Sequence, residues 1–304
     1  MPIPSALTAF ITKHPASSEL LTALAPLIMA REKLAASLPR LDLPAQKKRR
    51  TKKAVPLFPL LARNGYPAFL DAVFLARAPE KLGAVMRESM PGMVAEIDAA
   101  LAHMREDEKA AERLAVAGFC RSRRRWEALA AKQGLNRDVA GLFAVNLAAC
   151  AARRAALALL AEVPDAPEDS EEGEAEETTG LVALPVWKEN FCPVCGNKPS
   201  SSIIRGKQGR RSLHCSLCGF EWVYNRTKCP SCLQEELREL PVYYDEKVPY
   251  ERVEACSKCS KYILGIDMRQ LTGDIPVEVR LLGMLPLELA MQKNGFEPMI
   301  SVEE

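Results

Sequence analysis

Nowhere in the 304 residues is there a run of eighteen apolar ones. A helix needs about that many to cross a bilayer, so no membrane insertion is expected. Met1 to His14 show no basic stretch ahead of an apolar one and no cleavage signature. The expected location is therefore the cytoplasm, where thiolates stay reduced and disulfides are rare. Histidine is scarce: only His14, His103 and His214 occur. His14 and His103 read as surface or core residues, and His214 as a strand residue beside Cys215, with metal ligation as its lesser role. The first half has no glycine-rich phosphate loop, no histidine–carboxylate pairing and no nucleophile motif. No catalytic or cofactor-binding residue is therefore expected, and the chain does not read as an enzyme. The formal charge of +2 excludes little by itself.

Cysteine is what the chain has in pattern. Eight of its ten cysteines form four Cys-x-x-Cys pairs: Cys192/Cys195, Cys215/Cys218, Cys229/Cys232 and Cys256/Cys259. Two thiolates so spaced can hold one metal ion from a single tight turn, and two such turns close a tetrahedral four-sulfur shell. Four pairs predict two metal ions. A disulfide framework suits a small secreted domain, and a thioredoxin-like redox pair needs one such motif beside a βαβ pattern; neither fits. Nineteen residues separate the first two pairs, ten the second from the third, and twenty-three the last two. Each longer gap has room for a hairpin that brings two turns face to face. This assigns Cys192, Cys195, Cys215 and Cys218 to one site and Cys229, Cys232, Cys256 and Cys259 to another. The spacing also leaves an interleaved pairing open.

Glycine follows the second cysteine of the first two pairs, at Gly196 and Gly219. There it accepts the left-handed conformation that turns backbone N–H groups toward sulfur. The later pairs end in Leu233 and Ser260 and make less ideal turns. Phe220–Tyr224, Leu240–Tyr244 and Tyr262–Ile266 are rich in strand formers, and Trp222 and Tyr224 are expected to pack over a small core. Spacing does not choose among zinc, ferrous and ferric ions, all of which accept four thiolates. An all-cysteine shell leaves no open position for a catalytic water.

The first half reads as helices. Ser17 or Ser18 caps one carrying Leu20, Leu21, Leu24, Leu27, Ile28 and Leu34, with Pro26 kinking it or starting its second half. Pro67, Pro79 and Pro91 are each expected to open a helix. Lys109–Ala131 reads as one long helix stopped by Gly134. Asp138 begins another that runs through Val139, Leu142, Phe143 and Cys150 to Ala161. Cys120 and Cys150 read as buried thiols within helices, and Arg121, Arg123, Arg124 and Arg125 as a solvated helix face. Lys47–Lys53 holds six basic residues, and Asp165–Glu177 holds eight acidic and no basic ones. The acidic stretch cannot bury a core and marks a flexible linker. Beyond the last cysteine pair, Pro276–Asn294 reads as a helix interrupted at Pro286 and placed to pack back on the first half. The expected fold class is α+β. An N-terminal all-α helical bundle (1–163) precedes an acidic flexible linker (164–186). Two small metal-ribbon β modules (187–226 and 227–270) and a C-terminal helical segment (271–304) follow.

The cysteine half also carries longer phrases. They include Cys192-Pro-Val-Cys-Gly-Asn-Lys-Pro-Ser-Ser, Leu213-His-Cys-Ser-Leu-Cys, Glu221-Trp222 and Arg226-Thr-Lys-Cys-Pro-Ser-Cys. Glu254-Ala-Cys-Ser-Lys-Cys, Lys261-Tyr262, Asp267 and Glu288-Leu-Ala-Met-Gln-Lys-Asn-Gly-Phe follow in order. In these the chain resembles the formate dehydrogenase accessory protein FdhE family over roughly its last 120 residues; the first half matches only in character. The resemblance implies a non-enzymatic, chaperone-like cytoplasmic maturation factor for respiratory formate dehydrogenase. Such a factor binds the molybdenum- or tungsten-containing catalytic subunit before export. It also implies that both ribbons are rubredoxin-like, placing iron rather than zinc on the eight paired cysteines. The alternative reading is a nucleic-acid-binding zinc-ribbon protein using Lys47–Lys53, and a third is a redox enzyme in its own right.

Overall fold

The computed structural model describes residues 5–41, 69–160, 187, 189–271 and 275–300. The basic run Lys47–Lys53, Pro67 and the acidic stretch Asp165–Glu177 lie outside the described residues. Among the described residues seven α-helices come first: α1 (Ser5–Lys13), α2 (Ser18–Ser37), α3 (Ala72–Ser89), α4 (Val94–Glu106), α5 (Ala110–Phe119), α6 (Arg123–Gln133) and α7 (Arg137–Leu160). Seven strands follow: β1 (Pro199–Arg205), β2 (Arg210–Cys215), β3 (Glu221–Val223), β4 (Val242–Tyr244), β5 (Glu251–Cys256), β6 (Lys261–Asp267) and β7 (Glu297–Pro298). Helices α8 (Val277–Gly283) and α9 (Leu285–Lys293) stand between β6 and β7.

Local chemistry explains most boundaries. Asp71 caps α3 by accepting a hydrogen bond from Phe74 N at 2.8 Å. Phe74, Ala78, Leu82 and Met86 then recur every four residues and are all buried, the stripe of a core-facing helix. Pro79 does not open a helix as expected; it lies inside α3. A proline there costs one backbone bond and about 3 kcal/mol, and burial of that stripe on both sides of it outweighs the loss. Pro26 likewise sits within α2. Pro91 opens a single 3-10 turn that leads into α4.

The long helix expected over Lys109–Ala131 is two helices. Arg121 takes a left-handed φ of 50°, and Ser122 N closes on Ala117 O at 3.3 Å, which ends α5. Cys120 is therefore the half-buried residue at the break, not a helical one, whereas Cys150 is buried in α7. Helix α5 lies against α7 so closely that a Cβ on Gly118 would fall on Ala144 backbone atoms and 2.9 Å from Ala148 Cβ. Asn136 caps α7 by accepting from the N–H groups of Asp138 and Val139. Within α7, Arg137–Ala158 is long and apolar enough to cross a membrane by length and composition, but 83% of it is buried inside the protein.

The two expected ribbons, β1–β3 and β4–β6, are joined edge to edge. They make one sheet in the order β3-β2-β1-β6-β5-β4, with β7 beside β6. Strands β1, β2 and β3 are antiparallel, as are β4, β5 and β6. The seam between the sets is parallel, with Ser201 opposite Leu264 and Ile203 opposite Ile266. Helices α8 and α9 cover one part of the sheet, where Ile203, Val253, Tyr262 and Ile266 pack with Val277, Met284 and Met291. Pro286 lies in the first turn of α9 and helps to open it. Helix α8 returns to the first half: Val279 is buried with Leu7, Phe10, Leu21 and Ala25. Ser17 does not cap α2 with its side chain; its hydroxyl donates to Gly283 O at 3.1 Å.

Candidate metal centres

The structure brings the eight paired cysteines together in two groups. Cys192, Cys195, Cys215 and Cys218 form one, Cys229, Cys232, Cys256 and Cys259 the other, and within each the sulfurs lie within 4.8 Å of one another. The groups follow sequence order, so the pairing is not interleaved. Each turn folds by its own backbone. Cys192 N donates to Asn197 O at 2.8 Å, Cys215 N to Phe220 O at 2.9 Å and Cys229 N to Gln234 O at 2.8 Å. The amides of Val194, Leu217 and Ser231 point at Cys192, Cys215 and Cys229 sulfur at 3.3–3.4 Å, the dipolar cradle a thiolate–metal unit requires.

The residue after each pair takes a left-handed φ: 74° at Gly196, 68° at Gly219, 65° at Leu233 and 53° at Ser260. All four turns thus have one geometry. Where leucine and serine replace glycine, it is held at a cost of about 1–2 kcal/mol each.

The donor set fits a tetrahedral ion. With metal–sulfur bonds of 2.3 Å a tetrahedron has sulfur–sulfur edges of about 3.8 Å. Sulfur contacts here are 3.5 Å for Cys192–Cys218, 3.3 Å for Cys195–Cys215, 3.9 Å for Cys229–Cys259 and 3.6 Å for Cys232–Cys256. Each group could hold one ion, and with four thiolates filling a shell no position remains for substrate water.

The first centre is embedded. All four cysteines are buried and belong to one apolar core with the helices, including Phe119, Phe143 and Trp126. Arg153 of α7 reaches across to donate to Gly219 O at 3.0 Å and Cys218 O at 3.3 Å, while pairing with Glu32 of α2 at 3.0 Å. Arg121 donates to Ser216 Oγ at 2.7 Å. Burial lowers the pKa of Arg121, and the charges of Cys215 and Cys195 oppose that shift. Neither arginine was expected at a site: Arg121 read as part of a solvated face. A hint lay in Arg153 and Arg154, which interrupt an alanine-rich stretch of a buried helix.

His214 is not among the ligand groups. Its ring lies 3.3 Å from Ser200 Oγ and 3.5 Å from Glu278 Oε1, linking β1 and β2 to α8. Burial raises the pKa of Glu278, but His214, Arg31 and Arg153 outweigh it and hold the carboxyl below its ordinary range. His14 also bridges elements, with Nδ1 2.9 Å from Phe10 O and Nε2 2.8 Å from Glu251 Oε1. Trp222 and Tyr224 are 2% and 5% exposed, so they serve as core and present no face for stacking. Trp222 Nε1 donates to Glu189 O at 3.1 Å.

The second centre differs: Cys229 and Cys256 are buried, Cys259 is half-buried and Cys232 is exposed. Beside it runs β4, the last strand of the sheet, whose three residues are all exposed. Arg211 of β2 ties the two sets together. It donates to Glu254 Oε2 of β5 at 2.7 Å, to Asn225 O at 2.7 Å and to Lys228 O at 3.2 Å, just before Cys229.

Residues 191–226 match the family described as "FdhE, central domain". A "Protein FdhE homolog" of Aquifex aeolicus (strain VF5) is 37% identical over 113 residues, which cover 36% of this chain and 40% of that protein. A "Protein FdhE homolog" of Klebsiella pneumoniae subsp. pneumoniae is 36% identical over 112 residues, covering 36% of this chain and 35% of its own length. These matches thus span well under half of each relative. The crystal structure of the FdhE protein from Pseudomonas aeruginosa aligns with a TM-score of 0.58 at 24% identity, covering 96% of this chain and 90% of that one, which establishes a shared fold. The chain is thus similar to FdhE proteins in sequence over its cysteine-bearing part and shares its fold with an FdhE protein along nearly its whole length.

Proposed function

We propose that this chain is a cytoplasmic accessory factor for formate dehydrogenase, a binding protein rather than an enzyme. It engages the enzyme's molybdenum- or tungsten-containing catalytic subunit before export. The observation that carries this reading is the pair of closed four-cysteine shells within a fold shared with an FdhE protein. A closed shell supplies structure or electrons but no site for substrate. In this reading Cys192, Cys195, Cys215 and Cys218 hold one ion and Cys229, Cys232, Cys256 and Cys259 another, both of them iron. Iron in four thiolates can change charge by one electron, which zinc cannot do. The chain's own part is to hold eight sulfurs in place, aim backbone amides at them, and fix the sheet that bears them against the helices. We further treat 1–163, 187–226, 227–270 and 271–304 as its structural units, with 164–186 as a linker.

Co-purification tests this. The tagged chain is expressed in its native host, and what elutes is identified by mass spectrometry. The expected result is a formate dehydrogenase catalytic subunit, recovered with the wild type and lost with a Cys192→Ser/Cys229→Ser variant. Recovery of nucleic acid instead, or normal formate dehydrogenase activity in a deletion strain, would sink the reading.

A further inference from the structure

We propose that the two centres are unequal by construction: the first is a sealed staple, and the second is the exchangeable centre, opened through Cys232. This rests on the reading of both cysteine groups as metal sites and goes beyond it, since nothing in the spacing of the four pairs distinguishes them.

Three independent features point the same way. The first is access. Every ligand of the first centre is buried, whereas Cys232 is exposed and Cys259 half-buried. Cys229 and Cys256 belong to the main core and Cys259 packs against it, so Cys232 is the open ligand. The second feature is backbone fit. Gly196 and Gly219 take the left-handed conformation without steric conflict, but Leu233 and Ser260 must be forced into it. Leaving the metal-bound geometry therefore relieves strain at the second centre and relieves none at the first. The third is clamping. Arg153 and Arg121, rooted in the helical half, bond to Cys218 O, Gly219 O and Ser216 Oγ of the first centre. At the second centre Arg211 and Asn190 bond to Lys228 O and Pro230 O, on the Cys229 side of the turn, and Cys232 is followed by Leu233, itself 49% exposed.

The chemistry is ligand exchange. Where Cys232 would hold a metal ion, an incoming thiol could take its place from the open side, and the proton of that thiol would pass to the departing Cys232 thiolate. No electron changes hands. The sealed centre offers no comparable approach without opening the contact between helices and sheet.

The test uses the zinc-loaded full-length chain. Zinc per chain is counted first. Release to the chelator 4-(2-pyridylazo)resorcinol is then followed with and without glutathione, while N-ethylmaleimide labelling is mapped by peptide mass. The expected result is two zinc ions leaving in two phases at least about tenfold apart, a difference of about 1.4 kcal/mol in barrier. Glutathione should speed the fast phase, and the earliest labels should fall on Cys232 and Cys259. A Cys232→Ser variant should keep one zinc and lose the fast phase; if it does not fold, the labelling order in the wild type decides. Two ions leaving at one rate, or early labels on Cys192, Cys195, Cys215 or Cys218, would overturn the proposal. A chain that binds no zinc would overturn the metal reading itself, a failure told apart by the initial count.

Discussion

Replacing Gly219 with alanine should loosen the first centre by more than the backbone alone explains. At φ 68° an alanine pays the left-handed penalty, about 1 kcal/mol net. Its Cβ would also stand 2.9 Å from Arg153 Nη1 and 3.2 Å from Glu278 Oε1. The guanidinium cannot yield freely, because it is bonded to Gly219 O, Cys218 O and Glu32. Hydrogen bonds from a charged group are worth about 1.5–3 kcal/mol, and the 28% exposure of this arginine side chain discounts that to about 1–2 kcal/mol. The total for Gly219→Ala is then about 2–3 kcal/mol. Gly206 provides the control. It has almost the same φ, 67°, with nothing within 4 Å of an added Cβ, so Gly206→Ala should cost only about 1 kcal/mol. The assay is the urea midpoint of both zinc-loaded variants, read by tryptophan fluorescence and by zinc release. In an Arg153→Met background the extra cost of Gly219→Ala should disappear. Equal midpoints for the two alanine variants would refute the arginine clamp, and with it one of the three grounds for treating the first centre as sealed.

Two further outcomes follow from ion pairs that join distant segments. Burial opposes charge on His14, but its bonds to Glu251 and Phe10 O outweigh burial and the nearby Arg280 and raise its pKa above the ordinary value. That stabilisation is full below the unfolded pKa and fades as pH rises through the folded one, so the midpoint gap between wild type and His14→Gln should be larger at pH 6 than at pH 8.5; a gap that widens with pH would contradict it. Glu254→Ala strips Arg211, whose side chain is 4% exposed, of its partner and should cost about 3 kcal/mol, measured as a lower urea midpoint, whereas a loss within 0.5 kcal/mol would show that Asn225 O and Lys228 O suffice.

The cysteine grouping was legible because a metal shell imposes local spacing: two residues within a turn and a hairpin's length between turns. Strands β3, β4 and β6 were legible from their aromatic and branched residues, and the glycine positions marked the left-handed turns. Leu233 and Ser260 were not recognised as holding that conformation, because tertiary constraint overrides their intrinsic preference. The break between α5 and α6 was hidden for the opposite reason. Residues 109–131 suit a helix throughout, and the chain departs from it at Arg121 where α5 meets α7. The parallel seam of β1 and β6 joins residues some sixty apart, and no local pattern encodes such a pairing. Arg121 and Arg153 were missed because an arginine reads as solvated unless its partners are known, and their partners are carbonyl and hydroxyl groups far along the chain.

The parallel seam changes what two ribbons can do. Separate ribbons on a flexible chain would move independently, each losing its fold with its metal. Here β1 hydrogen-bonds to β6 over four residue pairs, Ser202 Oγ donates to Glu254 at 2.6 Å, and Arg211 reaches from β2 to the backbone preceding Cys229. The second centre is thus held on two sides: by β1 through β6, and by Arg211 at its first turn. Strand β6 is in turn covered by α8, which is pinned to α1 and α2 through Val279. If each group holds an ion, emptying the second would leave β5 and β6 with strand partners independent of the metal. Emptying the first would loosen the turns that Arg121 and Arg153 grip, where sheet and helices share one core. One scaffold therefore permits opening at one centre while relying on closure at the other.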